Sequence, residues 1–143
     1  MTSPILIQIV QFFPIPSTQL WHTLTQVDQM RQWFIKEIHS FEPQIGFQTE
    51  FLVSHLGKPY THYWLVQKVT PSQMLQMDWS YKEYKGNMVV VFLLDEVSEG
   101  VELTLNSTVT EPFPDEEIFS YSSIKKGWTG LIQNQLVNFI KKI

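Results

Sequence analysis

The chain contains no cysteine among its 143 residues. A disulfide framework, a thiolate zinc site and a cysteine nucleophile are thereby excluded, and the absence favours a cytoplasmic life. Long apolar runs are missing as well. No stretch approaches the roughly 18 to 20 apolar residues that span a bilayer, so no membrane segment is expected. The short run Ile5 to Val10 has no charged region before it and no small-residue cleavage site after it, and Gln8 and Gln11 break it. It is expected to be a strand and not a signal peptide. Basic residues are also few: ten Lys and Arg stand against fourteen Asp and Glu, for a net charge of −4. That leaves no basic face for phosphates and argues against a nucleic-acid partner. Lys125-Lys126 and Lys141-Lys142, the basic doublets, read as solvated helix surface or dipole complements. No nucleophile elbow, phosphate loop or pair of catalytic carboxylates can be found. His55 and His62 would approach each other across a hairpin, but two imidazoles without a third ligand do not make a metal site. Neither metal nor cofactor is expected.

What the chain has in surplus is aromatic surface. Five Trp, ten Phe and five Tyr make up 14% of the residues, more rigid apolar area than a small core needs. An aromatic-lined pocket is one use for it and plain core filling is the other. The length suits one domain over residues 1–143 with its own core.

The periodicities divide the chain into blocks. Ile5 to Phe13 is β-branched and stops at Pro14-Ile15-Pro16, which cannot continue a ladder, so it reads as a first strand. Ser17 then reads as the N-cap of a short helix carrying Leu20, Trp21 and Leu24, and Asp28 as the cap of a second carrying Met30, Trp33 and Phe34. From Ile45 to Thr110 the pattern alternates, with turn residues every eight to twelve positions. Five strands are expected there: Phe47 to Ser54, Tyr60 to Val69, Met74 to Tyr81, Met88 to Asp95 and Val101 to Val109. The hairpin at Thr70 to Gln73 fixes a face. If Val69 pairs with Met74, Val66 opposes Met77 and Trp64 opposes Trp79, with His62 further along the same side. Val90, Phe92 and Leu94, and then Leu103, Leu105 and Ser107, extend that side across the sheet. Asp78 falls on the outer one.

The last block, Pro114 to Ile143, is expected to be one long amphipathic helix. Asp115, Glu116 and Glu117 at its start and Lys141 and Lys142 at its end would all oppose the backbone dipole. Tyr121, Ile124, Trp128, Leu131, Ile132, Gln135, Phe139 and Ile143 share a stripe within about 60° of Trp128. Two polar tips, Tyr121 and Gln135, therefore face whatever the helix covers. Gln135 either bonds a backbone group or trapped water of the sheet or faces a cavity. Gly127 and Gly130 each cost about 1 kcal/mol in a helix interior, which a close backbone approach to Gly127 or a bend would offset.

These residues resemble a known family. Phe13-Pro14-Ile15-Pro16, Leu20-Trp21, Leu24-Thr25 and Met30 to Phe34 are similar to its opening of Phe-x-Ala-Pro, Val-Trp, Ala-Leu-Thr and Arg-Trp-Phe. Val69 to Trp79 resembles its Pro-Pro…Leu…Thr-Trp stretch, Val101 to Thr110 its Thr-x-Leu-Thr-Leu-Thr strand, and Gly127-Trp128 its Gly-Trp in the last helix. The family is the one named after the C-terminal domain of the heat-shock-protein-90 ATPase activator (AHSA-type), in the START-like, birch-pollen-allergen-like (SRPBCC) superfamily. The resemblance implies an α+β helix-grip fold: a curved six-stranded antiparallel sheet wrapped around a long C-terminal helix, with two short helices after the first strand and an internal cavity. Ile15 and Gln32 depart from the usual pattern.

Three functions follow from this reading. The first is a hydrophobic or aromatic small molecule bound beneath the last helix without chemistry, with Trp33, Phe34, His62, Trp64, Met77, Trp79, Phe92, Tyr121, Ile124, Trp128 and Gln135 lining the cavity. The second, implied by the resemblance, is a chaperone as partner, with the acidic segment Glu111 to Glu117 as a contact. The third, also implied by the resemblance, is a polyketide cyclase-like enzyme, for which His62 is the best-placed acid or base and Asp78, on the outer face, a poor second. A homodimer through Tyr60, Tyr63 and Tyr84 is a further possibility.

Overall fold

The computed structural model describes residues 6–143; Ile5, expected to open the first strand, lies outside the described residues. The strands are β1 (Leu6–Phe13), β2 (Gln48–His55), β3 (Lys58–Thr70), β4 (Met74–Tyr81), β5 (Tyr84–Val97) and β6 (Gly100–Glu111). They form one antiparallel sheet in the order β1-β6-β5-β4-β3-β2, a meander whose last strand carries the first at its far edge. Between β1 and β2 stand the short helices α1 (Ser17–Thr25) and α2 (Val27–Trp33), and after β6 comes a C-terminal helix of 22 residues. This is the helix-grip arrangement expected from the sequence.

Alternation decides which side each strand shows. Ile7, Ile9, Trp64, Val66, Leu75, Met77, Val90, Phe92, Leu103 and Leu105 are all buried, and their neighbours in sequence are not. Helix α1 packs on β5 and β6 and α2 on the end of the C-terminal helix, so all the helices share one side of the sheet. The tight turns have the backbone they need: Leu56 and Gly57 both take positive φ, of 51° and 78°, in the two-residue turn between His55 and Lys58 that matches the twist of a hairpin.

The β3–β4 register holds by an indirect route. Trp64 opposes Trp79 and Val66 opposes Met77, as alternation predicts, but beside the turn Val69 pairs with Leu75 and Thr70 with Met74. The loop takes one residue fewer from β3 than expected, and the irregularity between Val66 and Lys68 restores the count before the tryptophans are reached. An extra residue on one strand is what a bulge supplies.

Both short helices start differently from the sequence reading. Pro16 occupies the N-cap of α1 without a side-chain cap bond, and Ser17, one residue inside, donates its hydroxyl to Glu96 Oε1 at 2.6 Å. Gln26 is the N-cap of α2, which places Asp28 in the first turn and not at the cap. A carboxylate there still favours the helix through the dipole.

The C-terminal helix departs most. It begins at Tyr121 and not at Pro114, because Ser120 is the residue whose side chain accepts from the Ser123 amide. Glu117–Phe119 form a separate 3₁₀ turn, and Asp115 to Glu117 precede the helix. Helix α3 (Tyr121–Gly130) then runs through a π turn at Leu131–Gln135 into α4 (Leu136–Lys142). In that turn the Leu136 amide donates to Leu131 O, five residues back. One extra residue per turn sets every later position back by about 100°. Leu136 and Ile140, outside the expected stripe, are buried, Phe139 stays buried, and Gln135 is exposed, as is Ile143 at 60%. Of the expected inward stripe, Ile124, Trp128, Leu131, Ile132 and Phe139 do pack on the core, whereas Tyr121, Gln135 and Ile143 are exposed.

Candidate functional site

The tryptophans under the helix form a packed cluster. Phe34 is its hub, with ring centroids 4.7 Å from Trp33, 5.4 Å from Trp64, 5.9 Å from Trp79 and 5.9 Å from Trp128. Phe92 approaches Phe34 at 6.4 Å and Trp128 at 6.2 Å. The corner that delivers Phe34 is locked by hydrogen bonds. Trp33 Nε1 donates to Thr23 O at 2.8 Å, and Arg31 donates to Ile38 O and His39 O, both at 2.6 Å, tying down the chain just after Phe34. Seven of the residues expected to line a cavity (Trp33, Phe34, Trp64, Met77, Trp79, Phe92 and Trp128) thus belong to this buried cluster. Trp64 Nε1 and Trp79 Nε1 are buried within it with no hydrogen-bond partner among the described residues, which is uncommon for such donors.

The open space lies next to that cluster, at the end of the sheet where the β2–β3 and β4–β5 turns meet the start of the C-terminal helix. A cavity of about 230 Å³ is lined there by Val53, His55, Tyr60, His62, Tyr81, Met88, Phe113, Ile118, Phe119 and Ile124. Only His62 and Ile124 of the expected lining residues reach it. Tyr121 is 45% exposed, with Lys125 Nζ 5.8 Å from its ring centre, and Gln135 is exposed beyond the π turn. Neither reaches that cavity, and Tyr121 borders a separate open depression with Lys125, Lys126 and Asn134. At the Tyr121 end the sheet side is occupied instead by Phe119, whose ring lies 5.6 Å from Tyr81 and 6.2 Å from Tyr60.

The polar part of the lining comes from β3 and β4. His62 and Tyr81 are direct cross-strand partners, with ring centroids 4.7 Å apart in an edge-on arrangement. Phe51 stacks on the other side of the imidazole at 4.8 Å and Trp79 lies at 5.4 Å. His62 Nδ1 is 2.9 Å from Tyr60 O. A carbonyl can only accept, so Nδ1 carries the hydrogen and Nε2 of the neutral ring remains an acceptor. Burial pushes the imidazole down to about 4, against the Tyr60 carbonyl and the Glu83 charge, which act to raise it. Burial pushes the Tyr81 phenol up to about 12, with the Trp79 indole N–H, near but outside hydrogen-bonding geometry, acting the other way. At neutral pH the cavity therefore presents the His62 Nε2 acceptor beside the Tyr81 hydroxyl, which stays protonated and can donate, with Tyr60 and His55 also in the lining. Its lining residues among those described include no Lys, Arg, Asp or Glu, and His55 stands exposed at the rim.

The outer wall is the segment between β6 and the helix. Phe113 and Phe119 stack at 5.0 Å, Phe113 fits against Gly86, and Glu116 pairs with Lys58 of the opposite hairpin at 3.3 Å. Periodicity could not find this wall, since it is neither strand nor regular helix. Tyr60 and Tyr81 were within reach: the register that pairs Trp64 with Trp79 also pairs His62 with Tyr81 and leaves Tyr60 on the same side. That parity also separates Tyr60, 5% exposed, from Tyr63 on the other face, so Tyr60, Tyr63 and Tyr84 do not make one surface patch.

A sequence model of the family described as Activator of Hsp90 ATPase homolog 1-like protein matches residues 14–141. The chain belongs to this family. The matched span takes in the Pro14-Ile15-Pro16 corner, the tryptophan cluster and the whole cavity wall of this AHSA1 chain. No curated protein sequence matches it. Among solved structures, Mll3558 of Rhizobium loti is similar with a TM-score of 0.81 at 18% identity, over 96% of this chain and 99% of that one. CalU16 of Micromonospora echinospora has a TM-score of 0.71 at 22% identity, over 96% and 76%. DynU16, described as a protein of the dynemicin biosynthetic locus, has a TM-score of 0.75 at 20% identity and covers 95% of this chain, which spans only 47% of DynU16. At these identities the likeness establishes the AHSA1 helix-grip fold. No described helix is long and apolar enough to cross a membrane, and no group of three or more metal-ligating side chains occurs among the described residues.

Proposed function

We propose that this chain is a small-molecule binding domain, and that its ligand occupies the cavity between Tyr60, His62 and Tyr81 on the sheet and Phe113, Phe119 and Ile124 opposite them. The observation that carries the reading is the composition of that lining: apolar and aromatic walls with a few polar groups, from Tyr60, His62 and Tyr81 and from His55 at the rim, the pattern of a site that gains affinity from apolar burial and orientation from a few hydrogen bonds. The tryptophan cluster serves as the rigid back of the site and not as its lining. An enzymatic role for His62 is less well supported, because an imidazole held near pKa 4 is a weak base at neutral pH. A chaperone contact through Glu111 to Glu117 is also less well supported, since Phe113 and Phe119 anchor that segment to the sheet and Glu116 is paired with Lys58.

The test is a thermal-shift screen of the purified protein against uncharged aromatic and lipid-like compounds. It is repeated on Ile124→Trp, which fills the cavity, and on Gln135→Ala, which lies outside it. A ligand at 100 times its Kd raises stability by about 2.7 kcal/mol. Hits lost in Ile124→Trp and kept in Gln135→Ala support the reading. Hits that survive Ile124→Trp exclude this cavity as the site.

A further inference from the structure

The polar pair in the cavity restricts the ligand beyond being apolar. We infer that the site selects an uncharged single-ring compound carrying a hydroxyl group, a monocyclic phenol, whose hydroxyl donates to His62 Nε2 and accepts from Tyr81 Oη. The inference rests on the proposed binding function and adds the chemistry of the occupant.

Its first ground is the hydrogen-bond ledger. His62 Nδ1 is committed to Tyr60 O, so the ring's one remaining polar atom is an acceptor. Tyr81, its direct cross-strand partner 4.7 Å away between centroids, supplies a hydroxyl that stays protonated. An acceptor and a donor side by side are satisfied together by one hydroxyl, which both gives and takes a hydrogen bond. A ketone would serve Tyr81 and leave His62 without a partner. A hydrocarbon would cover both without pairing either, and unmade buried hydrogen bonds are costly.

The second ground is charge. The lining residues include no Lys, Arg, Asp or Glu among those described, so a bound carboxylate or ammonium would lose its hydration with no counter-ion. Lys58, at the outer edge, is engaged with Glu116. The third ground is size. A volume of about 230 Å³ lies below the roughly 300 to 1,000 Å³ of sites for drug-sized ligands. It suits one ring with a short substituent, edge-on to the aromatic walls of Phe113 and Phe119.

Isothermal titration of the full chain at neutral pH with 4-methylphenol, p-xylene and 4-methylbenzoate tests this, because the three share a shape and differ in one group. The expected result is 4-methylphenol binding at least about tenfold more tightly than p-xylene, with 4-methylbenzoate weaker than either. Tyr81→Phe removes a single oxygen without changing the packing, and it should bring the phenol-to-xylene ratio down towards one while p-xylene affinity is kept. His62→Phe should do the same. Equal affinity for phenol and xylene in the wild-type chain, a preference for the benzoate, or a ratio unchanged by Tyr81→Phe would overturn the hydroxyl assignment and leave the binding function standing. If none of the three binds and the methyl resonances of Met88 and Ile124 do not move, the cavity reading fails and the inference with it.

Discussion

The Leu136 amide donates to Leu131 O, five residues back, and that bond decides which side chains of the last helix reach the sheet. It brings Leu136 to 0% exposure and turns Gln135 out to solvent. A regular helix would have done the reverse. Leu136→Ala should therefore destabilise the protein by about 2 to 5 kcal/mol, as deletion of a buried leucine side chain does. Gln135→Ala should stay within about 0.5 kcal/mol of wild type. Urea denaturation of the two variants checks this, and a larger cost for Gln135→Ala would mean that the helix keeps its α phase.

Gly86 and Gly127 should respond in opposite directions to the same substitution. Gly86 has φ +116°, and a Cβ there would lie 2.3 Å from the Phe113 ring and 2.9 Å from the Phe113 Cα. Gly86→Ala should cost more than about 1 kcal/mol through backbone strain alone, and it should also loosen the cavity wall. Gly127 sits in helix α3 with open space where its Cβ would go. The expected close backbone approach is not there, so Gly127→Ala should stabilise by about 0.5 to 1 kcal/mol. Thermal midpoints of the two variants falling on the same side of wild type would contradict this account.

Stability should fall in mild acid because of His62. Its pKa drops from 6.5 to about 4 on folding, so between these values the unfolded chain binds a proton that the folded chain refuses. The histidine's contribution is fully present above about pH 6.5 and is lost as pH falls towards 4, and by linkage it amounts to something on the order of 3 kcal/mol. Denaturant midpoints measured between pH 4.5 and 7 should show this slope in the wild-type chain and a shallower one in His62→Phe. Parallel slopes would show that His62 is not held neutral.

Local periodicity determined a good deal of this protein by itself. The six strands, the two helices after β1 and the inward set from His62 to Trp79 follow from alternation, from the Pro14-Ile15-Pro16 stop and from turn residues such as Gly57, because each depends on neighbours a few positions away. The pairing of Trp64 with Trp79 was legible for the same reason, although a bulge beside Val66 was needed to deliver it. The tertiary structure decided what those faces enclose. Whether the tryptophans line a space or fill it depends on Phe34 arriving from a loop fixed by Arg31, and the segment from Phe113 to Phe119 walls the real cavity through contacts with β3, β4 and Gly86 far away in sequence. The π turn belongs to this second kind. An extra residue in one helical turn leaves no periodic trace, and it is held because the sheet gains Leu136 in place of a glutamine that would have to be buried.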